Sequence, residues 1–263
     1  MLAKAYFSRA RRPVLLHISH GARRPVLLEE SMSRPDAWNL DPPPGFQGLR
    51  EDLALRVYVR HMPHWRQVGA TYFVTFRLAD SLPQARLDEL ERLKCDWQAR
   101  NPSTQNKESL EQLARMIFER IEMWLDQGMG SCALRDERCS LMVHQALQYF
   151  HNQRYELAAS VVMPNHVHCI VRPFPAQKVE LEEIIGSWKS FTARKINKTL
   201  GQIGCLWQDE SYDRIIRDEE HLWRSVQYIG RNPKKAGLSN ESCRLWLNPD
   251  WERVGWKFVE NEK

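Results

Sequence analysis

The run Met163-Pro164-Asn165-His166-Val167-His168-Cys169-Ile170-Val171 constrains this chain more than any other segment. Val167, Cys169 and Val171 alternate with His166, His168 and Ile170, which is the period of a strand whose side chains point to opposite faces in turn. Ser160 to Met163 reads as a partner strand, and Pro164-Asn165 fits the tight turn between them. The odd positions then face a core, and the two imidazoles project side by side from the other, open face. Such a pair can hold a divalent metal, although two surface histidines on a hairpin would show the same pattern.

A second segment narrows the choice. Asp218 to Asn232 reads as a helix, with Asp218 as cap, Glu219 and Glu220 in the first turn, and Leu222, Val226 and Ile229 at helical spacing. Pro233 is expected to stop it and Gly237 to give a later turn. Tyr228 and Asn232 stand four apart and share a face, so a phenol and an amide oxygen lie together. A tyrosine packed against a sheet and an asparagine at a helix end would be the plain structural account.

Around these segments the expected order is strand, helix, two strands, helix, strand. Thr71–Leu78 alternates as the first strand. Residues 83–127 carry two apolar helical stripes broken at Asn101-Pro102-Ser103, a helical hairpin inserted after that strand. Helices follow near Asp136–His151 and Leu181–Leu200, and a last strand falls within Gly204–Ile216. This is the split pattern of a ferredoxin-like α+β fold: an antiparallel sheet with helices on one face and the histidine face left open. The domain is expected over residues 64–238, followed by a tail, 239–263, with Trp246, Trp251 and Trp256. Residues 1–50 look foreign to it. Ala10–Leu16 recurs as Ala22–Leu28, and arginines with Pro42-Pro43-Pro44-Gly45 suggest a flexible basic leader.

The residues together resemble the REP-associated tyrosine transposases, within the single-tyrosine HUH transposases of small bacterial insertion sequences. The resemblance rests on Val162–His168, Ser187–Thr192, Trp207–Arg214, Ile216–His221 and Tyr228–Leu238, in that order. It implies an RRM-like HUH domain. It makes Tyr228 the nucleophile and His166, His168 and Asn232 the ligands of Mg²⁺ or Mn²⁺. The implied activity is cleavage and rejoining of single-stranded, hairpin-forming repeats through a 5′-phosphotyrosine, by a monomer or homodimer. Gly230 departs from the family, where a larger residue is more usual. In a helix interior it costs about 1 kcal/mol relative to alanine.

Composition agrees with this. Thirty-eight Lys and Arg against 33 Asp and Glu give a net charge of +5, compatible with nucleic acid and ordinary for a soluble protein. Lys189, Arg194 and Lys195, with Lys198, cluster on the helix after the histidine strand; Arg231, Lys234 and Lys235 surround the end of the tyrosine helix. With Arg214 from the Trp207–Arg214 motif they are the candidate phosphate contacts, and a solvated helix face is the alternative. Trp207 and Tyr212 are candidate stacking platforms. The six cysteines show no zinc spacing, and no membrane span or signal peptide is evident, so a cytoplasmic, nucleoid-associated protein is expected. Two other classes stay open: a non-cleaving repeat-binding or regulatory protein, and a metallohydrolase in which water attacks. The group that takes the tyrosine proton is not evident.

Overall fold

The structure, a computed structural model, describes residues 40–60, 62–101, 107–239 and 242–259. Its centre is a five-stranded antiparallel sheet built from β3 (Tyr72–Arg77), β4 (Tyr155–Val162), β5 (His166–Pro173), β6 (Tyr212–Ile215) and β7 (Arg244–Leu247), in the spatial order β6-β3-β5-β4-β7. Helices α3 (Glu137–Gln148) and α4 (Leu181–Leu200) complete a strand-helix-strand-strand-helix-strand unit from β3 to β6. The first and third of its strands lie at the centre, as in a ferredoxin-like sheet, so the α+β architecture expected from the sequence is present. The inserted helices are α1 (Gln84–Arg100) and α2 (Lys107–Leu125), and the tyrosine helix is α5 (Glu219–Lys235).

Alternation on β5 assigns the two faces. Val167, Cys169 and Val171 pack with Val143 and Leu147 of α3 and with Ile184, Ile185 and Trp188 of α4. Ile170, on the histidine side, packs with Phe73 and with Leu222, Val226 and Ile229 of α5. The helices are therefore not confined to one face. An apolar stripe on α5 has to be covered, and the apolar half of the histidine face covers it. Phe118 of α2 joins the same cluster.

The tyrosine helix also runs further than expected. Asp218 caps it by accepting from the backbone N–H of His221 at 2.8 Å. Pro233 does not end it; the proline sits inside the last turn and the helix continues to Lys235. In the final turn a proline forfeits one hydrogen bond rather than breaking a long ladder. The end is closed instead by Gly237, at φ +67°, whose N–H reaches the Lys234 carbonyl at 3.0 Å while Leu238 N–H reaches the Pro233 carbonyl at 2.8 Å.

Two additions frame the sheet. Before His64, the expected start of the domain, the chain already forms β1 (Arg56–Val59), which pairs as a ribbon with β2 (Pro63–Arg66). Residues 46–50 of the expected leader also lie against the domain: Thr71 N–H donates to the Gln47 carbonyl at 2.8 Å, and Leu49 N–H to the Ile216 carbonyl at 3.1 Å. The duplicated segment lies outside the described residues. At the other end, β7 joins the sheet edge and α6 (Pro249–Arg253) buries Trp251, whose indole N–H donates to Glu156 at 3.0 Å. Trp256 is buried beside it, at a ring separation of 5.7 Å.

Candidate active site

Asn165 fixes the tip of the β4–β5 hairpin. Its side-chain amide donates to the carbonyls of Leu125, the last residue of α2, at 3.3 Å and of Met129, just beyond it, at 3.2 Å, and its own oxygen stands 2.7 Å from His166 Nδ1. His168 is held in the same way, with Nδ1 2.7 Å from the Thr75 hydroxyl across the β3–β5 ladder. With Nδ1 engaged on both rings, both Nε2 atoms are turned into the site. That is the orientation outer partners impose on histidines that bind metals. The imidazole rings lie 4.6 Å apart, centroid to centroid.

The face that carries them is not open. His166 and His168 are 1 % and 0 % exposed. From one side α5 brings Tyr228, whose ring stands edge-on to His168 at 5.4 Å, and Asn232 one turn later. From the other side α2 brings Phe118 and Glu122. Glu122 Oε2 accepts the Tyr228 hydroxyl hydrogen bond and lies 3.2 Å from His168 Nε2. The tyrosine of this chain thus sits against the histidines of the same chain.

Electrostatics follow from burial. Desolvation pushes the His166 pKa down to about 3, with the neighbouring His168 adding to it, so the ring is neutral near pH 7. Burial raises the Tyr228 phenol well above its ordinary value, and the Glu122 charge and hydrogen bond raise it further. Desolvation opposes the charge of Glu122, but His168, helped by the Tyr228 hydroxyl hydrogen bond, more than offsets it and holds the carboxyl below its usual range. Five buried polar atoms here lack a hydrogen-bond partner: His166 Nε2, His168 Nε2, Glu122 Oε1, and both Oδ1 and Nδ2 of Asn232. Left unpaired, each would cost about 1–3 kcal/mol. A divalent cation would satisfy the acceptors among them, the two Nε2 atoms, Glu122 Oε1 and Asn232 Oδ1, while Asn232 Nδ2 is a donor. Ligand atoms of Glu122, His166 and His168 all lie within 4.8 Å of one another. Donors on opposite sides of a small divalent ion stand about 4.2 Å apart, so a slight closure suffices.

Glu122 was missed in the sequence, although a signal was present. Ala114, Phe118, Glu122 and Leu125 form one buried row along α2. An acid at helical spacing within an apolar row is the mark of a buried, partnered carboxylate.

The basic candidates divide between the two faces. Arg214, on β6, places its guanidinium over the rings of Phe73 at 5.2 Å and Phe118 at 5.9 Å, on the histidine side. Lys235 lies over the Tyr228 ring at 5.6 Å and pairs with Asp126 at 3.1 Å. Lys234 is exposed at the end of the same helix, and Arg231 is half-buried one turn from Gln227. Lys189, Arg194 and Lys195 instead belong to α4, across the sheet from the histidines. Arg194 and Lys195 are exposed there. Lys189 is tied down, donating to the carbonyls of Gln208 at 3.0 Å and Asp209 at 3.1 Å, and burial lowers its pKa to about 8. Trp207 is a core residue, its indole N–H donating to Thr192 at 2.9 Å. Tyr212 is stacked on Phe118 at 4.1 Å.

Gly230 has a packing reason. A Cβ there would stand 2.6 Å from Cδ1 and 3.0 Å from Cβ of Phe258, in the C-terminal tail. Gln227 fastens that tail to α5, donating to the Lys257 carbonyl and accepting from Val259 N–H, both at 2.8 Å.

These features define a class: a ferredoxin-like α+β protein with a buried histidine pair, a tyrosine and an amide gathered on one sheet face. Comparison with known proteins finds a family match for part of the chain. Residues 134–232, which hold His166, His168, Tyr228 and Asn232, match the family described as IS200-like transposase. No curated protein matches the chain. Among solved structures, a REP-associated tyrosine transposase bound to a REP hairpin is similar at 18 % identity, over 70 % of this chain and 75 % of that one, with a TM-score of 0.35. That likeness is too loose to assign any residue a role.

Proposed function

We propose that the chain is a divalent-cation-dependent DNA strand transferase acting on single-stranded, hairpin-forming repeats, with Tyr228 as nucleophile. The observation that carries this reading is the convergence of Tyr228, His166, His168 and Asn232 in one buried site within the transposase-like segment. His166, His168 and Asn232 would hold Mg²⁺ or Mn²⁺, which supplies charge neutralisation at the non-bridging phosphate oxygens. Tyr228 Oη attacks the phosphorus, the bond from phosphorus to the 3′ oxygen breaks, and the leaving strand takes a proton as a free 3′ hydroxyl. The 5′ phosphate remains on the tyrosine as an ester close in energy to the bond lost, so the reverse step rejoins strands without a nucleotide cofactor. Arg214, Arg231, Lys234 and Lys235 contact phosphates near the site, while Lys189, Arg194 and Lys195 belong to the opposite face. Because the tyrosine meets its own chain's histidines, a monomer is sufficient for cleavage. No helix among the described residues is long and apolar enough to cross a membrane, and a place at the nucleoid follows from the substrate.

One observation favours a second reading. The histidines are buried and the tyrosine hydroxyl is engaged by Glu122, which suits a repeat-binding protein that keeps its site shut. Hairpin oligonucleotides from the repeats flanking the gene, labelled at the 3′ end, separate the readings. Incubated with Mn²⁺ or Mg²⁺, the protein is expected to give a denaturation-resistant band at protein-plus-DNA mass. That band should be absent with Tyr228→Phe and without metal. Free cut ends with no adduct would mean hydrolysis, and a gel shift without cutting would mean a binding protein.

A further inference from the structure

We propose that Glu122, delivered by the inserted helix α2 from outside the transposase-like segment, is a fourth protein ligand of the divalent cation, beside His166, His168 and Asn232. The inference rests on the reading of His166 and His168 as ligands and adds a residue that the sequence motifs do not contain. Glu122 is 3 % exposed and its Oε2 already lies 3.2 Å from His168 Nε2, while Oε1 has no hydrogen-bond partner. A buried carboxylate with one oxygen unpaired, beside two imidazoles whose Nε2 atoms lack hydrogen-bond partners, leaves three acceptors to be satisfied together. With a cation, the anionic oxygen and both ring nitrogens are satisfied at once. Two imidazoles and one carboxylate, with the Asn232 amide oxygen beside them, form a mixed nitrogen and oxygen set that suits Mn²⁺. Taking up the ion also draws the carboxylate from the Tyr228 hydroxyl, the atom that has to be free to attack.

The competing account makes Glu122 the base that removes the tyrosine proton. An ordinary phenol is a far weaker acid than an ordinary carboxyl, so complete transfer to Glu122 runs uphill. A base also need not bind the ion, and that difference is measurable without any DNA.

The experiment titrates Mn²⁺ into the full-length, EDTA-stripped protein, following free Mn²⁺ by its room-temperature paramagnetic resonance signal. Wild type is expected to bind one ion, and Glu122→Gln and His166→Ala are each expected to weaken binding at least tenfold. Cation binding in wild type with the Gln variant within twofold of it and His166→Ala weakened would overturn the role of Glu122 and leave the histidine site standing. No binding by wild type would overturn the histidine site and this ligand together. Folding of each variant is checked by its thermal transition in EDTA. Should the Gln variant not fold, Glu122→Asp, whose carboxylate is one methylene short, is expected to weaken Mn²⁺ binding at least threefold; wild-type affinity would overturn the inference.

Discussion

Stability should fall as pH rises from neutral, through one buried histidine remote from the candidate active site. His64, on β2, is 3 % exposed and sits between two carboxylates, with Nδ1 2.7 Å from Asp213 and Nε2 3.0 Å from Glu210. Arg66 shares Asp213 and reaches Glu182 on α4, whose other partner is Tyr58 of β1, a ring stacked on His64 at 5.0 Å. Burial alone would lower the His64 pKa, but the bonds to Asp213 and Glu210 and the Asp213 charge outweigh it and raise it to about 9. Against an ordinary value of 6.5, the imidazolium contributes about 3 kcal/mol to folding. Because the folded-state value is raised, that contribution is fully present below about pH 6.5 and lost as pH climbs through about 9. His64→Gln keeps the bulk and removes the titration. Urea unfolding of both proteins at steps from pH 6 to pH 9.5 should show the stability gap narrowing by about 3 kcal/mol, other groups cancelling between them. Parallel curves across that range would refute the reasoning. The consequence reaches the active face, since β6 carries Asp213 into this network and the adjacent Arg214 onto the histidine side.

Further outcomes follow from single contacts. Gly230→Ala would stabilise an open helix by about 1 kcal/mol, but here it should destabilise by about 1–2 kcal/mol because Phe258 has to move. Pairing it with Phe258→Ala should recover the loss in chemical denaturation; simple stabilisation by Gly230→Ala alone would contradict the packing. Asn165→Ala removes the partner of His166 Nδ1, and Mn²⁺ affinity should drop about 10–100-fold. Unchanged affinity in the same titration would show that the ring needs no holder. His166→Ala or His168→Ala should abolish adduct formation while hairpin affinity in a gel shift falls less than threefold. Equal losses in both would make the pair structural.

Local pattern settled much of this protein. Period two in Val167, Cys169 and Val171 identified the strand and placed both imidazoles on one face. The helix expected near Leu181–Leu200 is present over that range, and helical spacing put Tyr228 and Asn232 together. Such patterns are legible because each depends on backbone geometry within a few residues. They say which side of an element is apolar, and not what will cover it. The histidine face looked open because nothing nearby in sequence demanded otherwise. In the fold, α5 needed a surface for Leu222, Val226 and Ile229, and α2 arrived with Phe118, so the face closed. Pro233 was read as a stop because its local cost was visible, whereas the Gly237 closure that supports it was not. Gly230 reads as a weakness in the helix by itself, and the packing of Phe258 against it is the tertiary reason for a glycine there. Glu122 meets Tyr228 across 106 residues, a separation over which no periodicity speaks. Sequence therefore determined which residues share a face, and tertiary packing decided that the face is buried and that a carboxylate from the insertion stands among its histidines.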